Sequence, residues 1–272
     1  MSMLTHIHHG HHQAVMGDWT SQLLVVPFIL ALILYLVAVK LSNRAYTRWP
    51  FRRTLLFIAG TICAVSALAG PLAEMAHMDF SYHMYAHLLL GMLAPLLLAL
   101  SAPMTLLMRT LNVNASRKLS GLLKSKPISV VTDPIVATVL NIGGLWLLYT
   151  TPLYEAMHQN VWLYLLVHLH VFLAGYLFTI SLIYIDPTAH RRSYLYRAII
   201  FVLALAGHGI LSKFIYSRPP MGVPMEQAQS GAMIMYYGGD IIDAVILFIL
   251  CLHWYKATRP KAIGGAVLEG KA

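Results

Sequence analysis

Histidine and methionine are the residue types in this sequence that could carry chemistry. The chain contains 14 histidines and 14 methionines but only two cysteines. Imidazole and thioether together form a ligand set suited to copper, and thioether sulfur favours the cuprous ion. Cys63 and Cys251 lie in separate apolar stretches and form no CxxC motif, so neither a disulfide nor a thiolate metal site is expected. A metal would therefore be held by histidine, methionine and carboxylate side chains.

Most of the histidines fall into two groups. The first group, the tail histidines, comprises His6, His8, His9, His11 and His12. The second lies in or beside apolar stretches and comprises His77, His83, His87, His158, His168, His170 and His208. The tail histidines could capture metal, or they could form a solvated segment with incidental metal affinity. The methionines could likewise be copper ligands, or they could only fill gaps in a membrane core, as methionine commonly does.

The composition indicates a membrane protein. Hydrophobic residues make up 58% of the sequence and charged residues 11%, with a mean hydropathy of +0.68. A water-soluble domain carries about 25% charged residues, so an ordinary soluble enzyme is excluded. Seven stretches have the roughly 20 mostly apolar residues that a membrane span needs, at about 20–41, 54–73, 84–108, 134–153, 161–185, 198–216 and 232–255. The sequence thus predicts an all-α, integral-membrane bundle of seven transmembrane helices.

The basic residues indicate the orientation of this bundle. Of the 19 lysines and arginines, 17 follow the first, third, fifth or seventh apolar stretch. The positive-inside rule then places the N-terminus outside and the C-terminus in the cytoplasm. The chain divides into an extracytoplasmic histidine-rich tail at 1–19, a transmembrane domain at 20–256 and a cytoplasmic tail at 257–272. Because topology accounts for the net charge of +9, no nucleic-acid partner is expected.

Several polar residues inside the apolar stretches are expected at a similar depth. At about 1.5 Å per residue, His87, His168, His208 and Asp240 all lie within roughly 12 Å of the outer ends of their helices. Ionisable groups in membrane spans usually face the bundle interior and mark function. These residues could share one polar site in the outer leaflet. The alternative is a set of separate, hydrogen-bonded core residues.

Helical periodicity extends this predicted site. His83 lies one turn before His87 and therefore on the same helix face. His170 points roughly opposite to His168, which makes it a weaker candidate. Asp240 is expected to compensate the charge of a cation or to orient an imidazole. Asp240 could thereby alter the affinity of the site for metal when a partner protein docks on the loop at 217–231.

Three segments of the chain contain motifs of a known family. The run FSYHMYAH at 80–87 continues through Ala94-Pro95 to Ala102-Pro103. It is similar to the HMxxHM...AP...AP signature of the seven-span CtaG family of cytochrome c oxidase assembly factors. The segment at 168–187 resembles the fifth span of the family. The segment at 227–236 resembles its DQxxGGxxMW motif. The similarity covers nearly all of the predicted membrane domain.

The resemblance implies a role in maturing a haem-copper cytochrome c oxidase. The protein would bind copper in the outer leaflet and supply it by ligand exchange, without catalysis. Its partners would be the oxidase subunits and extracytoplasmic copper chaperones, and its location the bacterial inner membrane. The predicted ligands are His83, His87, His168 and His208, with Asp240, His170 and Met84 as further candidates.

Two other functions fit parts of the pattern. Paired histidines bind haem b in membrane cytochromes, although four histidines in one layer disfavour two stacked haems. A copper transporter would need a polar route through the inner leaflet, where the sequence offers few groups besides His253, Cys63 and Cys251. An optical spectrum distinguishes haem from copper.

Deleting residues 1–15 is expected to weaken copper capture at low copper while leaving the fold and the intramembrane site intact. The tail has no apolar periodicity and contributes no core, so its loss should barely change stability. Copper uptake at limiting copper and thermal unfolding, compared between the truncated and full-length proteins, check this. A truncated protein that cannot insert or fold would show that the tail is structural.

Overall fold

The computed structural model describes the backbone of residues 7–188 and 190–260, and the side chains of residues 20–188 and 190–260. Over these ranges the chain is helical and has no strands. In chain order the helices are α1 (Ile7–Ala45), α2 (Phe51–Leu68), α3 (Pro71–Met78), α4 (Phe80–Leu100), α5 (Pro103–Thr110), α6 (Val113–Leu123), α7 (Lys126–Val131), α8 (Pro134–Thr150), α9 (Leu153–Gln159), α10 (Val161–Leu182), α11 (Tyr194–Ser217) and α12 (Met225–Thr258). The tail histidines lie outside the described side chains, and most of the predicted cytoplasmic tail lies outside the described residues.

Within the described residues, six helices are long and apolar enough to cross a membrane. They are α2, α4, α10, α11, α12 and the part of α1 at Thr20–Ala45. Helices α8 and α9 form a bent pair, with an angle of 79° between them, that can serve as a seventh span. The prediction of an all-α, multi-pass membrane protein is confirmed, and the predicted seven spans hold when the bent pair counts as one. The side of the membrane on which each terminus lies stays a prediction.

Helix α4 lies at the centre of the bundle. Its most apolar stretch is 67% buried, whereas that of α1 is 6% buried. Helix α4 packs against α2, α10 and α12, and its side chains contribute to the two largest hydrophobic clusters through Phe80, Met84, Leu88 and Leu96. Polar side chains on this helix therefore meet several neighbouring helices at once.

Two helices contain a single turn of π-helix. In α4 this turn is Leu89–Leu93, and in α8 it is Val139–Gly143. The first begins two residues after His87 and precedes Pro95, which has no N–H to donate to the helix. Isolated π turns frequently occur at functional sites. Both turns of this protein lie beside intramembrane histidines.

The third span ends earlier than the predicted stretch at 84–108. The span stops at Leu100, and Pro103 begins α5. The residue before a proline is disfavoured in the α conformation. Ala102 instead adopts a left-handed conformation, with φ of 54°. The chain therefore turns at this point.

Polar contacts join the connections at one end of the bundle. The carboxylate of Asp186 accepts hydrogen bonds from the backbone N–H groups of Met104 at 3.0 Å and Thr105 at 2.7 Å. Arg192 forms a salt bridge of 2.6 Å with Asp133. We call this the basic end, because the connections that are rich in lysine and arginine lie there. They are the connections α1–α2, α4–α8 and α10–α11. The opposite end is the histidine end.

Two glycines allow α10 to pack very closely against α4. A Cβ atom built at Gly175 would overlap the carbonyl oxygen of Gly91, and one at Gly91 would lie 2.9 Å from Val171. Small residues permit this close approach between membrane helices. The contact brings His168 on α10 and His87 on α4 to the same region of the bundle interior.

Replacing Gly175 with alanine is expected to destabilise the protein by about 1–3 kcal/mol or more, because the added Cβ forces α4 and α10 apart. Gly121→Ala is the matched control, since nothing lies within 4 Å of its added Cβ. Thermal unfolding of the detergent-solubilised variants measures the difference. Equal unfolding temperatures would contradict a tight contact at Gly175.

Candidate metal centre

Five histidines line one cavity near the histidine end of the bundle. Its volume is about 30 Å³, and we call it the histidine cavity. The histidines come from four helices: His77 on α3, His83 and His87 on α4, His158 on α9, and His168 on α10. Three of the four predicted histidine ligands are thus brought around one cavity.

Two of these histidines make the same backbone hydrogen bond. Nδ1 of His158 donates to the carbonyl oxygen of Tyr154 at 2.8 Å, and Nδ1 of His168 donates to that of Tyr164 at 2.9 Å. A neutral imidazole that donates from one nitrogen keeps a lone pair on the other. Metal-ligating histidines are commonly oriented by such a bond. Both rings therefore present Nε2 as a possible ligand atom.

The two histidines of α4 differ in their hydrogen bonding. His83 and His87 are 8% and 6% exposed. Nε2 of His83 lies 3.1 Å from the hydroxyl oxygen of Tyr149. Neither ring nitrogen of His87 has a hydrogen-bond partner within the described part of the chain. Leaving a buried polar atom unpaired costs about 1–3 kcal/mol, so His87 is unusual among buried side chains.

His87 also lines a second, smaller cavity. This cavity has a volume of about 10 Å³ and is lined by Asn141 of α8, His208 of α11 and Asp243 of α12. We call it the Asp243 cavity. The side chains of His208 and Asp243 are 4% and 5% exposed, and the described residues offer no partner to Nε2 of His208 or Oδ1 of Asp243. The ring centroids of His87 and His208 are 6.5 Å apart.

The carboxylate near these histidines is Asp243, and the expected placement of Asp240 is corrected. Asp240 is exposed on the surface of α12, because this helix packs into the bundle through the face that carries Gly239 and Asp243. A Cβ built at Gly239 would lie 2.5 Å from Cε1 of His208. A glycine one turn before an aspartate was the signal in the sequence that could have identified the buried carboxylate.

The remaining candidate ligands make structural contacts. Nε2 of His170 donates to the carbonyl oxygen of Leu140 at 3.0 Å, within the π turn of α8. Met84 is fully buried and packs in the hydrophobic cluster that contains Phe80. Neither residue lines the histidine cavity or the Asp243 cavity.

His77 and His158 join the site although their positions in the sequence did not place them there. Both belong to short helices outside the predicted spans, and only the folding of α3 and α9 over the histidine end brings them together. Their ring centroids are 6.2 Å apart, and that of His158 is 6.5 Å from His83. Burial and the nearby His158 lower the pKa of His77 below its usual value of 6.5. His77 is therefore neutral at pH 7 and able to bind a metal.

The imidazoles are spread along the two cavities. Among the described residues, no three His, Cys, Asp or Glu side chains lie close enough together to hold a metal ion in this conformation. The two cavities have His87 in common.

Comparisons with known proteins identify the family. A family model of the cytochrome c oxidase caa3 assembly factors matches residues 33–257. An uncharacterized protein of Mycobacterium leprae is 27% identical over 162 residues, which are 57% of this chain and 25% of that protein. Uncharacterized proteins of Mycobacterium bovis and Mycobacterium tuberculosis are each 29% identical over 159 residues, which are 56% of this chain and 24% of theirs.

The aligned part of the chain thus spans about a quarter of the length of these mycobacterial relatives. No solved structure matches the chain. The family match confirms the resemblance found in the motifs of α4, α10 and α12. The chain belongs to the caa3 family of cytochrome c oxidase assembly factors.

Proposed function

We propose that this protein binds copper within the membrane and delivers it to a haem-copper cytochrome c oxidase during assembly. The observation that supports this most directly is His87. Both of its ring nitrogens lack a hydrogen-bond partner in the described residues, and the ring lines two cavities that hold further imidazoles. Imidazole is a good copper ligand.

The hydrogen bonding of the histidine cavity leaves imidazole lone pairs available to a cation. Imidazole must be neutral to bind a metal, and the hydrogen bonds of His158 and His168 orient both rings with a lone pair on Nε2. The surroundings are apolar, so an ion there gains little solvation from water and depends on its ligands. Binding copper requires side-chain rotations that bring three imidazoles around one ion.

The charge distribution supports an orientation for delivery. The connections rich in lysine and arginine lie at the basic end, which the positive-inside rule places in the cytoplasm of a bacterial inner membrane. The histidine end then faces the outside, with the N-terminus. Extracytoplasmic copper chaperones could load the site from that side, and the oxidase subunits could receive the ion. Movement of the ion needs ligand exchange alone, so the role is not catalytic.

The cavities favour a metal ion over haem. Small-molecule and cofactor pockets measure about 300–1,000 Å³, whereas the histidine cavity measures about 30 Å³. A haem b protein would require a much larger opening between the helices. An optical spectrum of protein purified from cells supplied with haem tests this alternative.

Replacing His83 and His87 with alanine is expected to remove most of the bound copper, and the unchanged protein is expected to bind copper in preference to zinc. His190→Ala with His253→Ala is the matched control, because it removes two histidines that line neither cavity. Metal content after purification, together with unfolding temperature, is the measurement. Copper retained by the His83 and His87 double variant would refute the site.

The copper content is also expected to depend on pH in a defined direction. Protons compete with copper for the imidazole nitrogens, so occupancy should fall as the pH drops below about 6.5. Because the pKa of His77 is lowered, this residue stays available as a ligand at a pH where an exposed histidine is protonated. Metal content after dialysis between pH 8 and pH 5 checks the direction. Occupancy that rises on acidification would contradict imidazole ligation.

A further inference from the structure

The Asp243 cavity contains an unusual set of unpaired polar atoms. They are Oδ1 of Asp243, Nε2 of His208 and both ring nitrogens of His87, and none has a hydrogen-bond partner among the described residues. All three side chains are more than nine-tenths buried. Unsatisfied buried atoms are rare in proteins, and each requires an explanation such as a bound ion.

No basic side chain compensates Asp243. In the part of the chain that the structure describes, the salt bridge between lysine or arginine and a carboxylate is that of Arg192 with Asp133 at the basic end. A buried carboxylate without a partner is costly within a membrane. A cation in the adjoining cavity would supply the missing charge. The cavity volume of about 10 Å³ is close to the space that one water-sized particle requires.

The ligand set defines the class of cation. Imidazole suits copper, zinc, iron and nickel, and a carboxylate adds a harder, negatively charged oxygen ligand. The histidine cavity, in contrast, offers imidazoles without a buried carboxylate. One carboxylate and two imidazoles favour a divalent transition-metal ion, such as Cu²⁺.

We infer that the Asp243 cavity is a second transition-metal position next to the copper position of the histidine cavity, formed when side-chain rotations bring Asp243, His208 and His87 around one ion. This inference rests on the proposed function and assigns the histidines to two positions. His83, His158 and His168 serve the histidine cavity, and His87 stands between the two. An ion moves from one position to the other by exchanging ligands at His87, with no change of oxidation state.

Close packing supports a specific role for His208. The Cβ of a residue other than glycine at 239 would lie 2.5 Å from Cε1 of this ring. The glycine therefore allows α12 to press against the imidazole, and Asp243 follows one turn later on the same buried face of this helix. The same helix turns Asp240, three residues earlier, to the exposed surface, which supplies a matched control.

The test is a Cu²⁺ titration of the full chain in which the five tail histidines are replaced by glutamine. Stoichiometry is read from metal content, and electron paramagnetic resonance separates the copper environments. The reference protein is expected to bind two ions with different spectra. Asp243→Asn is expected to bind one and to lose one of the spectra, whereas Asp240→Asn is expected to keep both.

The stability of the metal-free variants shows whether a loss of bound copper is caused by a loss of folding. Asp243→Asn removes an unpaired buried charge, so its unfolding temperature without copper should equal or exceed that of the reference protein. Two ions bound by Asp243→Asn, or the same loss in Asp240→Asn, would overturn the inference. If the reference protein binds a single ion that His83→Ala removes, the second position is absent and the proposed function stands. If the reference protein binds no copper, both this inference and the proposed function are wrong.

Discussion

A polar side chain inside a membrane has to be satisfied by the protein or by a bound ligand, because the hydrocarbon layer supplies no water. Most polar groups of this bundle meet that requirement through the backbone. His170 donates to a carbonyl group in the π turn of α8, and His158 and His168 donate to the carbonyl groups one turn before them. Among the described residues, buried polar atoms without a partner occur in Ser42, Thr138, Arg197, His87, His208 and Asp243. The last three converge on one small cavity. Their convergence is the observation on which the proposed metal site rests.

The packing of the helices fixes the geometry of these groups. Helix α4 is central, and α10 and α12 approach it at glycines. The contact of Gly175 with Gly91 sets the distance between α10 and α4. Gly231 of α12 similarly faces Phe80, where a Cβ would lie 2.7 Å from the ring. The oxygen Oε1 of Gln227 accepts a hydrogen bond from the backbone N–H of Phe80 at 3.2 Å. The motifs that resemble the family are therefore the residues that hold α4 in place.

The sequence predicted the helical membrane fold because hydropathy and length alone determine where helices can span a bilayer. It also predicted that His83, His87 and His168 would meet, since their depth and helix faces follow from residue spacing. The structure places Asp240 on the exposed surface and Asp243 in the cavity, and this difference has a physical reason. Depth along a helix is readable from the sequence, but the face that packs inward depends on the neighbouring helices. His77 and His158 were missed because short helices outside the spans carry no depth signal, and the 79° bend between α8 and α9 exists only in three dimensions.

X-ray absorption at the copper edge tests the central claim most directly. The sample is the copper-loaded full chain with the tail histidines replaced, so that the signal comes from the membrane domain. Intramembrane ligation by imidazole predicts a shell of nitrogen atoms with the outer scattering of histidine rings. A shell dominated by the heavier and more distant sulfur atoms, or a protein that retains no copper, would contradict it.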